Sequence, residues 1–559
     1  MPSSRRISVA LRLVALGWLP WHGLRAHTET APTTAQEQRV ADASRLATAP
    51  ENARAAAGSL HVRWQNENGG RPIGGLVRIT LQGSREAAPL SGLFERPGGW
   101  FSAPADSVVR LPPGRYQVEG TRGTDSSIVT ESVDVGSTAE ITVTLSPARF
   151  YDPTGRDLRA TNTHLHLLVK SRLKMGVDLA DRAQADAYLQ TIGATDQLDL
   201  VYVSYLTQPE LDVLSNHYTA DDLRAFSSGP TLFADGIEHR HGGVRVLVDP
   251  PPASATGGKP VYTQDNSSVA MSYGHVLLLG LERHRVSASV GPGLAGVAGA
   301  TDGVPLRDGM REARAEHSGV VWCHGSQGLE WIPSWVGGVL DAQNIYDGGN
   351  EGTVETVHYP LLNAGLRIPF SAGSDWGVWD FSRVYVTTKG PVTNDSFLRE
   401  LTAGRTYITN EPFLEFTADQ ATAGDTVQLA AAGKMRVRGR AVGRSDFIRL
   451  QVVRNGNVVH EMPSRPVAQH FEADIDLELP VAESGWLALR VPPEMPYTIR
   501  SRYEGRGVNI FGKAIFAHTS PVYVTVAGRP RHDRAAVTQL IERVDGALAT
   551  IDKVGYFRD

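Results

Sequence analysis

Ala160-Thr161-Asn162-Thr163-His164-Leu165-His166-Leu167-Leu168 sets two histidines one residue apart, just before an apolar run. In an extended strand alternate side chains share a face, so His164 and His166 project together. Two imidazoles aimed at one point are half of a tetrahedral metal site.

The surroundings of this stretch say where the other half would lie. From about residue 154, apolar runs alternate with helix-like segments: Leu198 to Val203, Val244 to Val248, Val276 to Leu279, Gly319 to Trp322 and Arg367 to Phe370. Arg311 to Glu316 and Ser396 to Leu401 read as helices between them. This is the pattern of an α/β domain with a mostly parallel sheet. Ligands in such folds bind beyond the carboxyl ends of the strands. Metal-type residues fall at those places. His324 follows Val320-Val321-Trp322-Cys323, and Asp375 follows the small-residue turn Ser371-Ala372-Gly373-Ser374. Glu238 lies in Asp235-Gly236-Ile237-Glu238-His239-Arg240-His241, and His275 opens an apolar strand. Four histidines with Glu238 and Asp375 form a mixed nitrogen and oxygen set, suited to divalent Zn, Mn, Fe or Ni at a site with open positions. Cys323, next to His324, is expected to face the packing, because neighbours on a strand point opposite ways.

The rest of the chain is β-rich by pattern. Residues 58–148 show short alternating strands and read as a small β-sandwich. Residues 154–415 form the α/β domain, and 416–527 a second β domain with a hairpin turn at Asn455-Gly456-Asn457. Residues 528–559 read as a C-terminal helix, with Ala536, Leu540, Ile541, Val544, Leu548 and Ile551 at helical spacing. At the other end, Arg5-Arg6 precede an apolar stretch that closes on Leu24-Arg25-Ala26, the order of a signal peptide over 1–26. A polar linker, 27–57, follows. An uncleaved anchor, or a start assigned too early, would give the same pattern. The signal reading makes the protein periplasmic or secreted.

Composition narrows the partners. The chain has 559 residues, a net charge of −5 and 41% hydrophobic residues. So small a charge gives no reason to expect nucleic acid. No segment beyond the leader is long and apolar enough to span a bilayer. A single cysteine rules out an internal disulfide.

With these residues in place, the sequence resembles the PHP (polymerase and histidinol phosphatase) superfamily, in particular the CehA/McbA-like metallohydrolases. His164-Leu165-His166 looks like the family's His-x-His motif, Tyr273-Gly274-His275 opens its Gly-His strand, and Gly373-Ser374-Asp375 looks like its Gly-Ser-Asp motif. Ala403-Gly404-Arg405-Thr406-Tyr407-Ile408-Thr409-Asn410-Glu411-Pro412 is similar to a stretch specific to that branch, with Glu411 replacing the usual glycine. The resemblance implies a distorted (β/α)7 barrel flanked by an N-terminal and a C-terminal β-sandwich. It also implies a first metal held by His164, His166, Glu238 and Asp375, and a second by His275 and His324, with Glu238 bridging. Two departures bear on the metal count. Ser204-Tyr205-Leu206 stands where the family has Thr-Asp-His, and Gly377 where it often has histidine. Both losses fall on the third metal of three-metal members, so two divalent ions are expected.

The expected activity is hydrolysis of an ester, carbamate or amide, or phosphoester by a metal-bound hydroxide, on a small-molecule or surface-linked substrate. Asp375 is a candidate proton acceptor, and His239, His241, Arg240 and Arg283 are candidates around it. No glycine-rich phosphate cradle is visible. Two other readings are a PHP-like binding protein that has lost turnover, and β modules that bind carbohydrate or a cell surface.

Overall fold

The computed structural model describes residues 58–65, 73–138, 140–170, 182–208, 213–215, 218–227, 229–241, 273–281, 293–294, 306–325, 328–347, 354–377, 380–497 and 502–556. The predicted leader and linker, the run Val244 to Val248 and Arg283 lie outside them.

The N-terminal strands build two small sheets. Gly58–Trp64 pairs antiparallel with Asp106–Leu111 and parallel with Glu140–Leu145. The five-stranded partner sheet holds Gly75–Leu81 between Trp100–Ala103 and Gly114–Thr121. Alternation makes the core. Leu60, Val62 and Trp64 point inward with Val77, Ile79, Val118 and Leu145, while Arg63 between them stays exposed. Two buried arginines fasten this unit to the rest. Arg96 pairs with Asp196 at 2.8 Å, both side chains 1% exposed. Arg444 donates to the carbonyls of Gly123 (2.6 Å) and Ser126 (2.7 Å). An Arg fork on fixed acceptors gives geometry as well as attraction.

The middle of the chain is a large, strongly curled sheet. Leu158–His166 pairs parallel with Leu200–Gln208, which pairs parallel with Leu232–His241. Gly274–Leu279 runs antiparallel to both its neighbours, Leu232–His241 and Gly319–Trp322. Parallel pairing resumes through Ala342–Asp347 to Phe370–Gly373. Asp375–Trp376 then returns to pair with Leu165 and His166. The expected mostly parallel sheet is therefore interrupted at the His275 strand. Among the described residues the full (β/α)7 alternation does not appear either: strand makes up 44%, helices are few, and the large sheet is a curled half-barrel.

Helices Arg182–Asp196, Leu306–Ala315 and Asn394–Thr402 flank the sheet. Asn394–Thr402 starts on a Thr393 capping box. Leu306, Met310 and Ala313 of one helix and Phe397, Leu398 and Leu401 of another bury against Leu277, Leu279 and Val320. Such amphipathic faces suit helices that cover a sheet.

The sheet does not stop at residue 415. Arg383–Thr387 leads to Thr406–Thr409, then Ala517–Thr519, then Gly485–Val491. Beside it, Phe413–Ala418, Gly433–Gly443 and His470–Val481 form a second layer. The hairpin at Asn455-Gly456 has both residues at positive φ, 51° and 89°, as a tight hairpin turn requires. Glu411 is buried. Its carboxylate accepts from the backbone and hydroxyl of Ser445, joining the two segments that connect the layers. The C-terminal helix Arg534–Val554 buries Ala536 and Leu540, but Ile541 and Leu548 on the predicted apolar face are exposed.

Candidate metal centre

All nine residues of Leu158–His166 are buried. Leu165 points into the hydrophobic core. His164 and His166 point the other way, as strand alternation demands. The pairing with Leu200–Gln208 slips by a bulge between Val201 and Val203, beside the histidines. Bulges commonly re-aim side chains next to active sites. Gly373 makes room: a Cβ there would come within 2.4 Å of the His164 Cβ.

Each histidine is committed through its inner nitrogen. His164 Nδ1 lies 2.8 Å from Asp347 Oδ1, and His166 Nδ1 lies 2.9 Å from the Ser204 carbonyl. A carboxylate and a carbonyl only accept, so both Nδ1 atoms carry a proton, and each Nε2 presents a lone pair when its ring is neutral. Those Nε2 atoms are 2.9 Å apart. Glu238 Oε2 sits 2.9 Å from His166 Nε2. Asp375 Oδ1 lies 3.5 and 3.6 Å from the two Nε2 atoms, and is buried without a hydrogen bond. Four electron-pair donors converge on one point and could hold a cation there.

Glu238 also faces a second group. Its Oε1 lies 2.7 Å from His275 Nδ1 and 3.6 Å from His324 Nε2. One carboxylate thus turns one oxygen to each half of the cluster. Gly274, at φ 141°, sets up the His275 strand; a Cβ there would meet the Trp322 ring at 2.2 Å. His324 and Asp375 are both at positive φ, 56° and 57°. That backbone is costly for non-glycine residues and gathers at functional sites. These two side chains also form the open side, 16% and 12% exposed against 3% or less for His164, His166 and Glu238.

Electrostatics agrees with a site built around positive charge. Burial works to lower the pKa of His164, but Asp347, Asp375 and Glu238 outweigh it and push it up to about 9. His324 is raised against its burial by the same carboxylates. Glu238 is held well below the usual carboxylate range, its burial outweighed by His275, His166 and His324. Asp375 moves the other way, because its burial outweighs the nearby imidazoles.

The six predicted ligands His164, His166, Glu238, His275, His324 and Asp375 come together. His239 does not join them. It alternates with Glu238 onto the opposite face, and its Nε2 lies against Gly309 of the Leu306–Ala315 helix. Arg240 and His241 are placed by backbone alone, opposite His275 and Gly274; their side chains, like Arg283, fall outside the described residues.

Cys323 packs in the hydrophobic core, as expected, and its Sγ also groups with Glu238, His275 and His324, all ligand atoms within 4.8 Å of one another. Asp347 is a site residue that the apolar runs did not point to. It ends Ala342–Asp347, where Gln343 and Asn344 interrupt the apolar pattern. Its only sequence signal is an acid closing a strand.

A cavity of about 230 Å³, lined by Arg314, Trp335, Asp341, Arg367 and Tyr523, lies at the starts of Ala342–Asp347 and Phe370–Gly373, away from the cluster. No family model and no curated protein matches the chain.

Proposed function

We propose that the protein is an exported metal-dependent hydrolase of the PHP superfamily, like the CehA/McbA branch, with a dinuclear centre. The observation that carries this reading is the meeting of His164 Nε2, His166 Nε2, Glu238 Oε2 and the unpartnered Asp375 Oδ1, with both Nδ1 atoms anchored behind. His164, His166, Glu238 and Asp375 would hold one divalent ion, and His275, His324 and Glu238 the other. Zn, Mn, Fe and Ni all suit this donor set. Ions held there supply Lewis-acid polarisation of water and of the substrate's acceptor oxygen.

The chain's own residues do the remainder. Asp347 and the Ser204 carbonyl fix the histidine rings. Asp375 and His324, on the open side, face the substrate, and the Asp375 carboxylate would serve as proton acceptor through the oxygen not turned to the histidines. The return of Asp375–Trp376 to the His164 strand supports a distorted PHP-type barrel. Substrates of the class are small or surface-linked esters, carbamates, amides or phosphoesters.

The test is metal analysis of the purified full chain followed by a hydrolase screen of those four classes. Tightly held metal and turnover that His164→Ala abolishes are expected. Less than about one equivalent of metal would favour a PHP-like binding protein instead, a reading supported by Tyr205, Leu206 and Gly377 standing where the family has ligand types.

A further inference from the structure

We propose that Cys323 is a thiolate ligand of the second metal position, beside Glu238, His275 and His324, and that it makes this position selective for soft divalent ions. The inference rests on the two-ion reading above and adds the ligand that decides which metal enters.

Cys323 is fully buried, at the end of Gly319–Trp322. Its amide donates to the His275 carbonyl at 3.2 Å, which ties the two ligand-bearing segments together. The sulfur belongs to two groupings, one with Glu238, His275 and His324, the other with His164 and Asp347. It therefore lies between the two halves of the cluster. A nearby group also points to a cation: Asp375 aims a buried oxygen without a hydrogen bond at His164 and His166.

The chemistry follows from softness. Without sulfur, the second position has two imidazoles and a shared carboxylate, a set that Mn²⁺ accepts. A thiolate shifts preference to Zn²⁺, Co²⁺ or Fe²⁺. On binding, the thiol loses its proton to solvent and the sulfur lone pair forms the bond to the metal, so ion uptake releases one more proton than histidine ligands alone would.

The full chain loaded with Co²⁺ is expected to show visible d–d bands and a near-ultraviolet thiolate-to-cobalt band. Cys323→Ser should remove the second and keep the first, and should lower zinc affinity relative to manganese at least about tenfold. If that variant does not fold, zinc-edge X-ray absorption on the unaltered protein decides the matter, with a sulfur neighbour expected at about 2.3 Å. Bound cobalt without the thiolate band, or bound zinc with only nitrogen and oxygen neighbours, overturns the role of Cys323 and leaves the metal centre standing. A chain that takes up neither ion overturns the metal centre and this inference with it.

Discussion

Asp347 Oδ1 sits 2.8 Å behind His164 Nδ1, and the same carboxylate's Oδ2 accepts the backbone N–H of His324 at 3.3 Å. One buried acid therefore orients a ring in the first half of the cluster and the chain segment that carries the second. Carboxylate–histidine pairs of this kind fix the tautomer and raise ligand basicity. Asp347→Asn is expected to weaken metal binding by about 10- to 100-fold while the chain stays folded. Chelator competition followed by circular dichroism reads both. An unchanged metal affinity would show that the ring needs no support from behind.

Glu238 turns one oxygen to each half. Glu238→Gln keeps the shape and removes the charge, so the metal content should fall at both positions, from about two equivalents to well under one. Elemental analysis after gel filtration measures this. Loss of a single ion would refute the bridging role.

Gly373 lies where any Cβ would press on His164, at 2.4 Å from its Cβ and 2.8 Å from its backbone nitrogen. Both are backbone or backbone-near atoms that cannot swing aside. Gly373→Ala is expected to cost about 1–3 kcal/mol of stability and to move His164 off its ligand position. Denaturant unfolding and metal uptake should change together; a stable variant with full metal content would show that the strand can yield.

His518 lies far from the cluster and governs a pH response. Arg490 donates to the Tyr359 hydroxyl at 3.1 Å, that hydroxyl donates to His518 Nε2 at 2.8 Å, and His518 Nδ1 donates to the Thr519 carbonyl at 2.7 Å. The network has room for the neutral ring only. Burial, then the Arg490 charge, lowers His518 to about 4, and burial with the neighbouring His518 lowers His358 to about 3. A depressed folded-state pKa means full stability above the ordinary value of 6.5. As the pH falls below 6.5, the unfolded chain takes up protons that the folded one refuses. Stability should therefore drop by up to about 1.4 kcal/mol per pH unit for each ring, until the pH nears 4 for His518. In His518→Gln the fall in melting temperature between pH 6.5 and 4 should be shallower than in the parent. Parallel curves would exclude His518 as a source of acid lability.

Period two made His164 and His166 legible in the sequence, because it holds for any buried strand, and strand-end placement brought out Glu238, His275, His324 and Asp375. What stayed hidden depended on geometry that periodicity does not encode. The antiparallel His275 strand follows from pairing partners, not from its own residues. Cys323 lies in the core and also borders the cluster, a placement that strand alternation does not encode. Asp347 sits on a strand whose Gln343 and Asn344 are buried because they are hydrogen-bonded. Gln343 accepts from the indoles of Trp331 and Trp335, and Asn344 accepts from Thr163. Polar residues held inside a core by such bonds erase the apolar signature. The exposed Ile541 and Leu548 show the converse, since helical spacing gives a stripe but not the width of what covers it.

The ladder that runs from Arg383–Thr387 through Thr406–Thr409 to Ala517–Thr519 has a consequence for how the protein can be taken apart. The trailing β unit is no appendage strung on a tether. Trimming the gene after codon 415 would strip Thr406–Thr409 of its outer neighbour and leave a bare row of amides and carbonyls, an invitation to intermolecular pairing. The two halves should therefore melt as one cooperative block.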